Sequence, residues 1–397
     1  MELNVQGVSA LDDALVDAWS RRPRWEDLTV HGCVHVTGRS VVPLMRAHPE
    51  AIVHGESHRL DGRLLAPTDR YDPRVSRLDL SDDASLVAMV TSSGAAMLVE
   101  RPSGRRRNKA TIPAKSALVR LDPKGRVLLS CAKKARLWDA VTAKELPALA
   151  FKLSRLDDAA FSADGSRLAI AGLGGTKKKP QRLVYLWDVA TWTQLGTLEA
   201  AHNDAATRVR LSPDGALALV AHASLEVFSC ATAERVLSLE AATPPACFDA
   251  TGEGVLFVEG GDVMRAPLDG AKPSTALSWK ALLACAPGVT VLSERAELAA
   301  NRNHDPDLRS FTLDELSVRG GEVVLTLFGG GYPGATGLVV GSRAVWIQCD
   351  VYGERPLAIS GDAKTLALGY PQDHPAALDG AVAVWDLDAV LTLARDA

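Results

Sequence analysis

Short apolar runs alternate with polar turns along most of this chain, and one combination keeps returning. An apolar residue, a Ser or Asp, a turn holding Asp or Gly and a second apolar run appear as LSDDASLVAMV from Leu80, LDPKGRVLLS from Leu121 and FSADGSRLAIAG from Phe161. The combination recurs as LSPDGALALVA from Leu211, FDATGEGVLFVE from Phe248 and ISGDAKTLALGY from Ile359. Asp-Gly accepts the positive φ of a tight turn and the flanking runs are strand-length, so each copy predicts a β-hairpin. Taken at Ala84, Gly125, Gly165, Gly215, Gly252 and Ala363, the copies stand 41, 40, 50, 37 and 111 residues apart. The first four gaps are close to one propeller blade of about 40–45 residues, and the last leaves room for two or three.

A second signature follows the hairpins: ARLWDAVT at 135–142, VYLWDVAT at 184–191, VAVWDLDA at 382–389 and a weaker LEVFSCAT at 225–232. Each predicts a third strand that ends in a large aromatic and a turn-forming polar residue. A lone four-stranded sheet cannot bury both faces, whereas packing each sheet against the next buries them all. The pattern therefore predicts a mostly β ring. Its blades start near residues 75, 118, 158, 208, 245, 282 and 356, which favours seven; segment 321–355 is available as a reduced eighth.

Turn, strand, aromatic strand and fourth strand in repetition resemble the WD40 family. Trp138-Asp139, Trp187-Asp188 and Trp385-Asp386 match its namesake dipeptide, and Ala201-His202 stands where that family usually has Gly-His. The likeness spans roughly residues 70–397 and is degenerate between about 270 and 355, and most blades lack the His and Asp of the family's buried hydrogen-bond tetrad. The resemblance implies a β-propeller used for protein binding.

Residues 1–60 follow another period. Leu3-Asn-Val5-Gln-Gly7 is matched 25 residues later by Leu28-Thr-Val30-His-Gly32, and Ile52-Val-His-Gly55 opens a third copy. The stretches at 11–23 and 39–49 read as helices ending at proline. GCVHVTGRSVVPLMRAHPEA in particular resembles the cysteine-containing class of leucine-rich repeats, which implies a small α/β unit docked on the propeller or on a partner. Residues 61–74 then form a linker or strand before a propeller at 75–397.

Composition narrows the functional classes. With 47% hydrophobic and 23% charged residues the chain buries a substantial core, and a net charge of −4 argues against a dedicated nucleic-acid binder. The six cysteines form no CxxC motif, the acidic N-terminus does not read as a signal peptide, and no apolar run approaches a membrane span. These features predict a cytoplasmic protein, and the Ala- and Arg-rich composition has a bacterial flavour. No GxSxG elbow, P-loop, HExxH or EF-hand loop occurs.

Candidate site residues gather in loops. Lys133 and Lys134 fall between the second and third strands of one blade, and Lys177, Lys178 and Lys179 fall in the equivalent longer loop of the next. Such loops emerge on one face, so the two clusters form a basic patch suited to an acidic partner; the plainer reading is a solvated surface. Arg302, His304 and His374 lie in long loops assigned to the same rim. Arg105, Arg106, Arg107 and Lys109 belong to the opposite face. His31 and His54, 23 residues apart, form a facing pair if the repeats stack at that spacing, either as half of a metal site or as a polar ladder. The leading expectation is a non-catalytic protein scaffold without a cofactor, binding an acidic protein segment as part of a larger complex. Its rivals are an enzyme-type propeller with a metal or cofactor in the channel, and nucleic-acid binding through the lysine face.

Overall fold

The structure is a computed structural model of the 397-residue chain. It describes residues 2–6, 13–21, 27–31, 52–54, 60–61, 63–65, 75–91, 95–101, 107, 112–113, 118–131, 134–176, 178–200, 207–240, 243–278, 290–294, 297–301, 311–329, 335–348, 356–369 and 382–396. Strands β1 (Glu2–Gln6), β2 (Asp27–His31) and β3 (Ile52–His54) form a parallel sheet, with helix α1 (Asp13–Ser20) between the first two. Leu3 pairs with Leu28 and Val5 with Val30, the 25-residue offset visible in the sequence. The same offset sets His54 opposite Thr29, while His31 faces Gln6. The 23-residue pairing of His31 with His54 is thus replaced by a register two residues longer.

The remainder is a seven-bladed β-propeller. Two short strands, β4 (Leu60–Asp61) and β5 (Arg63–Leu65), precede it in sequence. Blade 1 holds β6 (Val75–Leu80), β7 (Leu86–Thr91), β8 (Ala95–Glu100) and β9 (Ile112–Pro113). Blade 2 has three strands, β10 (Leu118–Leu121), β11 (Val127–Cys131) and β12 (Ala135–Asp139). Blade 3 contains β13 (Leu153–Phe161), β14 (Arg167–Thr176), β15 (Lys179–Asp188) and β16 (Gln194–Ala200). Blade 4 contains β17 (Arg208–Leu211), β18 (Leu217–Ala221), β19 (Leu225–Ser229) and β20 (Arg235–Leu239). Blade 5 follows with β21 (Thr243–Phe248), β22 (Gly254–Glu259), β23 (Asp262–Pro267) and β24 (Ser274–Leu277).

The sixth blade departs from the expectation. Its inner strand does not start near 282: a hairpin, β25 (Thr290–Glu294) and β26 (Glu297–Asn301), comes first. The blade proper is β27 (Phe311–Arg319), β28 (Glu322–Gly329), β29 (Ala335–Val340) and β30 (Arg343–Gln348). The described residues of the segment 321–355, weighed as an eighth blade, instead supply strands two to four of this one. The hairpin extends the blade outward, β25 running parallel to β30 and β26 pairing with β4. Blade 7 combines β31 (Leu357–Ile359), β32 (Thr365–Gly369) and β33 (Val382–Asp386) with β5 as its outer strand, so the ring closes with a segment from before blade 1. The chain ends in helix α2 (Leu387–Asp396), whose Leu387, Val390 and Leu391 are buried against the last two blades.

The repeated turn shows why these sequences build blades. In blades 1, 3, 4 and 7, the hydroxyls of Ser81, Ser162, Ser212 and Ser360 donate to Asp83, Asp164, Asp214 and Asp362, at 2.6–2.7 Å. The same hydroxyls accept the N–H of Leu86, Arg167, Leu217 and Thr365 across each hairpin at 2.9–3.0 Å. Asp122 and Asp249 do comparable work in blades 2 and 5. The buried Trp138, Trp187 and Trp385 fill the blade interfaces. The following aspartate caps the next element: Asp139 and Asp188 accept N–H groups from Thr142 and Thr191 in strand turns. Asp386 accepts the Ala389 N–H at 2.9 Å as the N-cap of α2.

Turns of successive blades also touch. Asp82 N–H donates to Pro123 O, Asp164 N–H to Pro213 O, Gly320 N–H to Gly361 O and Asp362 N–H to Asp82 O, at 2.7–3.3 Å. Gly215 sits at this contact with φ +70°, and a Cβ there would stand 2.5 Å from Cγ of Arg167 in the preceding blade. Gly270 has a similar φ of +84° but open space around it. Gly215→Ala is expected to lose about 1–2 kcal/mol from left-handed strain, plus a packing cost that Gly270→Ala does not incur. Denaturant unfolding of the two variants checks this, the Gly215 variant showing the larger loss.

Candidate functional site

Antiparallel blades send the turn between strands two and three to one side of the ring, and the turns between one and two and between three and four to the other. On the first side, β14 and β15 are ten residues long, while the matching strands of blades 2 and 4 have five. The hairpin therefore continues past the face by about five residues per strand, roughly 15 Å at about 3.3 Å per residue. Its tip is fastened where the Lys179 N–H donates to the Thr176 hydroxyl at 3.1 Å. Lys178 and Lys179 are exposed there, and Lys134 is exposed on the equivalent turn of the adjacent blade. Lys133, Lys177, Arg302, His304 and His374 lie outside the described residues. The structure thus brings Lys134, Lys178 and Lys179 to one side on neighbouring blades. Arg107 belongs to the opposite side, where its N–H donates to Leu98 O and its guanidinium meets Glu100 at 3.2 Å. Arg105, Arg106 and Lys109 are not among the described residues.

On the lysine side of blade 4, Ser224, His222 and Glu226 have the order of a hydrolytic triad but not its chemistry. His222 Nε2 lies 3.2 Å from Glu226 Oε2, and Nδ1 lies 3.5 Å from the Ser224 hydroxyl. That Nδ1 already accepts the Ser224 backbone N–H at 3.2 Å, so its lone pair is taken and the hydroxyl has no free base. Glu226 also accepts from Arg235 at 2.8 Å, making the group a buried, paired turn.

The axis is lined by the first strand of each blade, neighbouring first strands packing side by side. Here sequence reasoning missed a network of charges. Arg120 of blade 2 donates to Asp158 of blade 3 at 3.1 Å, and Arg210 of blade 4 donates to the other oxygen of Asp158 at 2.8 Å. Arg210 continues to Glu315 of blade 6 at 3.3 Å, reaching past blade 5, where Cys247 is buried. Asp158 also accepts the Val209 N–H at 3.1 Å, and Asp79 of blade 1 accepts the Leu121 N–H of blade 2 at 2.7 Å. Asp157 binds the Thr207 N–H of blade 4 and is flanked by Arg155 and the buried Arg182.

Electrostatics sorts these carboxylates. Burial pushes Asp158 and Glu315 up, but the Arg210 and Arg120 guanidiniums outweigh it and hold both below the ordinary carboxylate range. At Asp79 burial prevails over Arg120 and its backbone hydrogen bonds, and the carboxyl is raised. Burial also raises Asp82, at the channel mouth. Small residues, Ala160 of blade 3 and Ala358 of blade 7, leave a cavity of ≈160 Å³ beside this network. A signal for the network existed in the sequence: Asp79, Arg120 and Arg210 each stand one residue before the leucine that opens a turn motif. A charge in an otherwise apolar inner strand has to face the axis.

Asp158→Asn is expected to cost about 3 kcal/mol at pH 7, because two guanidiniums lose their shared partner. The ordinary pKa of Asp158 is 3.8 and its folded value is lower, so its stabilisation is complete above 3.8 and fades as the pH falls through the folded value. Urea unfolding of variant and wild type should show the gap narrowing below about pH 4 and constant from pH 5 to 7. No protein-family model matches this chain, and no curated protein matches it either.

Proposed function

We propose that the chain is a non-catalytic scaffold that presents the lysine-bearing face of its propeller to an acidic segment of a partner protein, within a larger complex. The observation that carries this reading is the β14–β15 hairpin, which holds Lys179 on a paired strand, and Lys178 in the turn beside it, beyond the face rather than on a slack loop. A paired hairpin loses less conformational freedom on binding than an unpaired loop of the same length, so more of its contact energy reaches affinity. Lys134 on the adjacent blade widens the basic surface, and converging like charges steer an acidic partner during encounter. Two resemblances point the same way: the WD40-like blades and the leucine-rich-like copies at the N-terminus are both patterns used chiefly for protein binding. That support is one of fold, and fold alone does not fix function. The cysteine usage fits a reducing, cytoplasmic setting, since the six cysteines form no CxxC motif and no disulfide framework is legible in the sequence.

The test is co-purification from the native host with the full chain and with a variant carrying Lys134→Glu and Lys178→Glu. The expected result is a reproducible set of partners with acidic segments, lost from the variant and weakened in the wild type as salt is raised from about 50 to 300 mM. Identical partners and identical salt dependence for both proteins would place the binding surface elsewhere.

A further inference from the structure

The cavity on the axis carries an inference independent of the lysine face. At ≈160 Å³ it suits a molecule of a few heavy atoms, since drug-sized ligands occupy pockets of about 300–1,000 Å³. Its walls are chemically divided. Toward blades 6 and 7 lie Val324, Leu357 and Ile359, together with Thr326, whose hydroxyl oxygen is buried without a hydrogen-bond partner among the described residues. Arg319 lines the cavity at the end of β27.

Three arginines border this space, and they differ in how far their donors are occupied. Arg120 is committed to Asp158 and to the carbonyls of Val119 and Ala159. Arg210 is committed to Asp158, Glu315 and the Val209 carbonyl. The side chain of Arg319, partly buried, makes no ion pair or hydrogen bond among the described residues. Its charge is felt by Asp79, Asp82 and Glu315, yet it contacts none of them. Both oxygens of Asp79 are occupied by the N–H groups of Leu80 and Leu121.

A guanidinium offers five donors in a planar fork that matches a carboxylate. Beside it lie an apolar wall and one unfilled hydroxyl. We propose that this cavity binds a small aliphatic monocarboxylate, with the carboxylate on Arg319, its tail against Val324, Leu357 and Ile359, and the Thr326 hydroxyl on a ligand oxygen. Three acidic side chains around the cavity oppose a second negative charge, which selects a monoanion over phosphate. The apolar wall selects an aliphatic tail over a bare inorganic ion.

Calorimetry and thermal melting of the full chain with isovalerate, its neutral analogue isovaleramide and inorganic phosphate test this. Isovalerate is expected to bind saturably and raise Tm, at least about tenfold more tightly than either comparator. Arg319→Gln, which breaks no ion pair, is expected to weaken isovalerate by at least about tenfold while keeping the unliganded Tm. Thr326→Val is expected to weaken it by a smaller factor. The proposal fails if acetate, butyrate and isovalerate all show no saturable binding up to about 20 mM. It fails equally if the amide or phosphate binds as well as isovalerate, or if Arg319→Gln binds like the wild type.

Discussion

The first strands of the seven blades crowd around one axis, and the backbone groups they turn toward each other have to be satisfied. Carboxylates from one blade do this for the next: Asp79 takes the N–H of Leu121, Asp158 that of Val209, and Asp157 that of Thr207. A carboxylate placed so deep needs a cation, and Arg120, Arg210, Arg155 and Arg182 answer that need. The charged lining of the channel follows from backbone geometry at the ring's tightest radius before it follows from any ligand. What the lining leaves over is informative for the same reason. Among the described residues, the Arg319 side chain touches no carboxylate and the Thr326 hydroxyl meets no partner.

Much of the architecture was written in the turns. The Ser–x–Asp–Gly pattern specifies its own hydrogen bonds within five residues, so its presence at Ser162 and Ser212 predicts a hairpin without knowledge of the rest of the chain. Blade 6 escaped because it dispenses with that turn. Its first two strands join through Gly320-Gly321, with Arg319 paired directly to Glu322, and no serine or aspartate marks the place. The appended β25–β26 hairpin then occupies the interval where a blade was expected. The final Trp-Asp dipeptide carried a different ambiguity. An aspartate that accepts the N–H three residues on serves a strand turn at Asp139 and a helix start at Asp386 equally well.

The channel network was half legible. Individual charges at Asp79, Arg120 and Arg210 stand out in apolar strands, and alternation directs them inward. Their partners do not, because Arg120 meets Asp158 across 38 residues of sequence and Arg210 meets Glu315 across 105. Such pairings depend on which blade neighbours which, and on how far a guanidinium reaches past the small side chain of Cys247. The side on which Lys134, Lys178 and Lys179 emerge was legible for the opposite reason. Loop position within a blade fixes the side on which a loop emerges, whatever its partners are.

Ring closure has a consequence for the order in which the molecule matures. Leu65 pairs with Val382, so a segment made early in synthesis waits for the last of the described strands to leave the ribosome. Until then β5 has no mate and the growing stack of blades has two apolar ends, a state that invites association with neighbouring chains. Contacts this remote in sequence also slow the final step, since a very long loop has to be closed before any reward is collected. Locking is therefore a late, all-at-once event, in which blades 1, 6 and 7 and residues 60–65 find one another together.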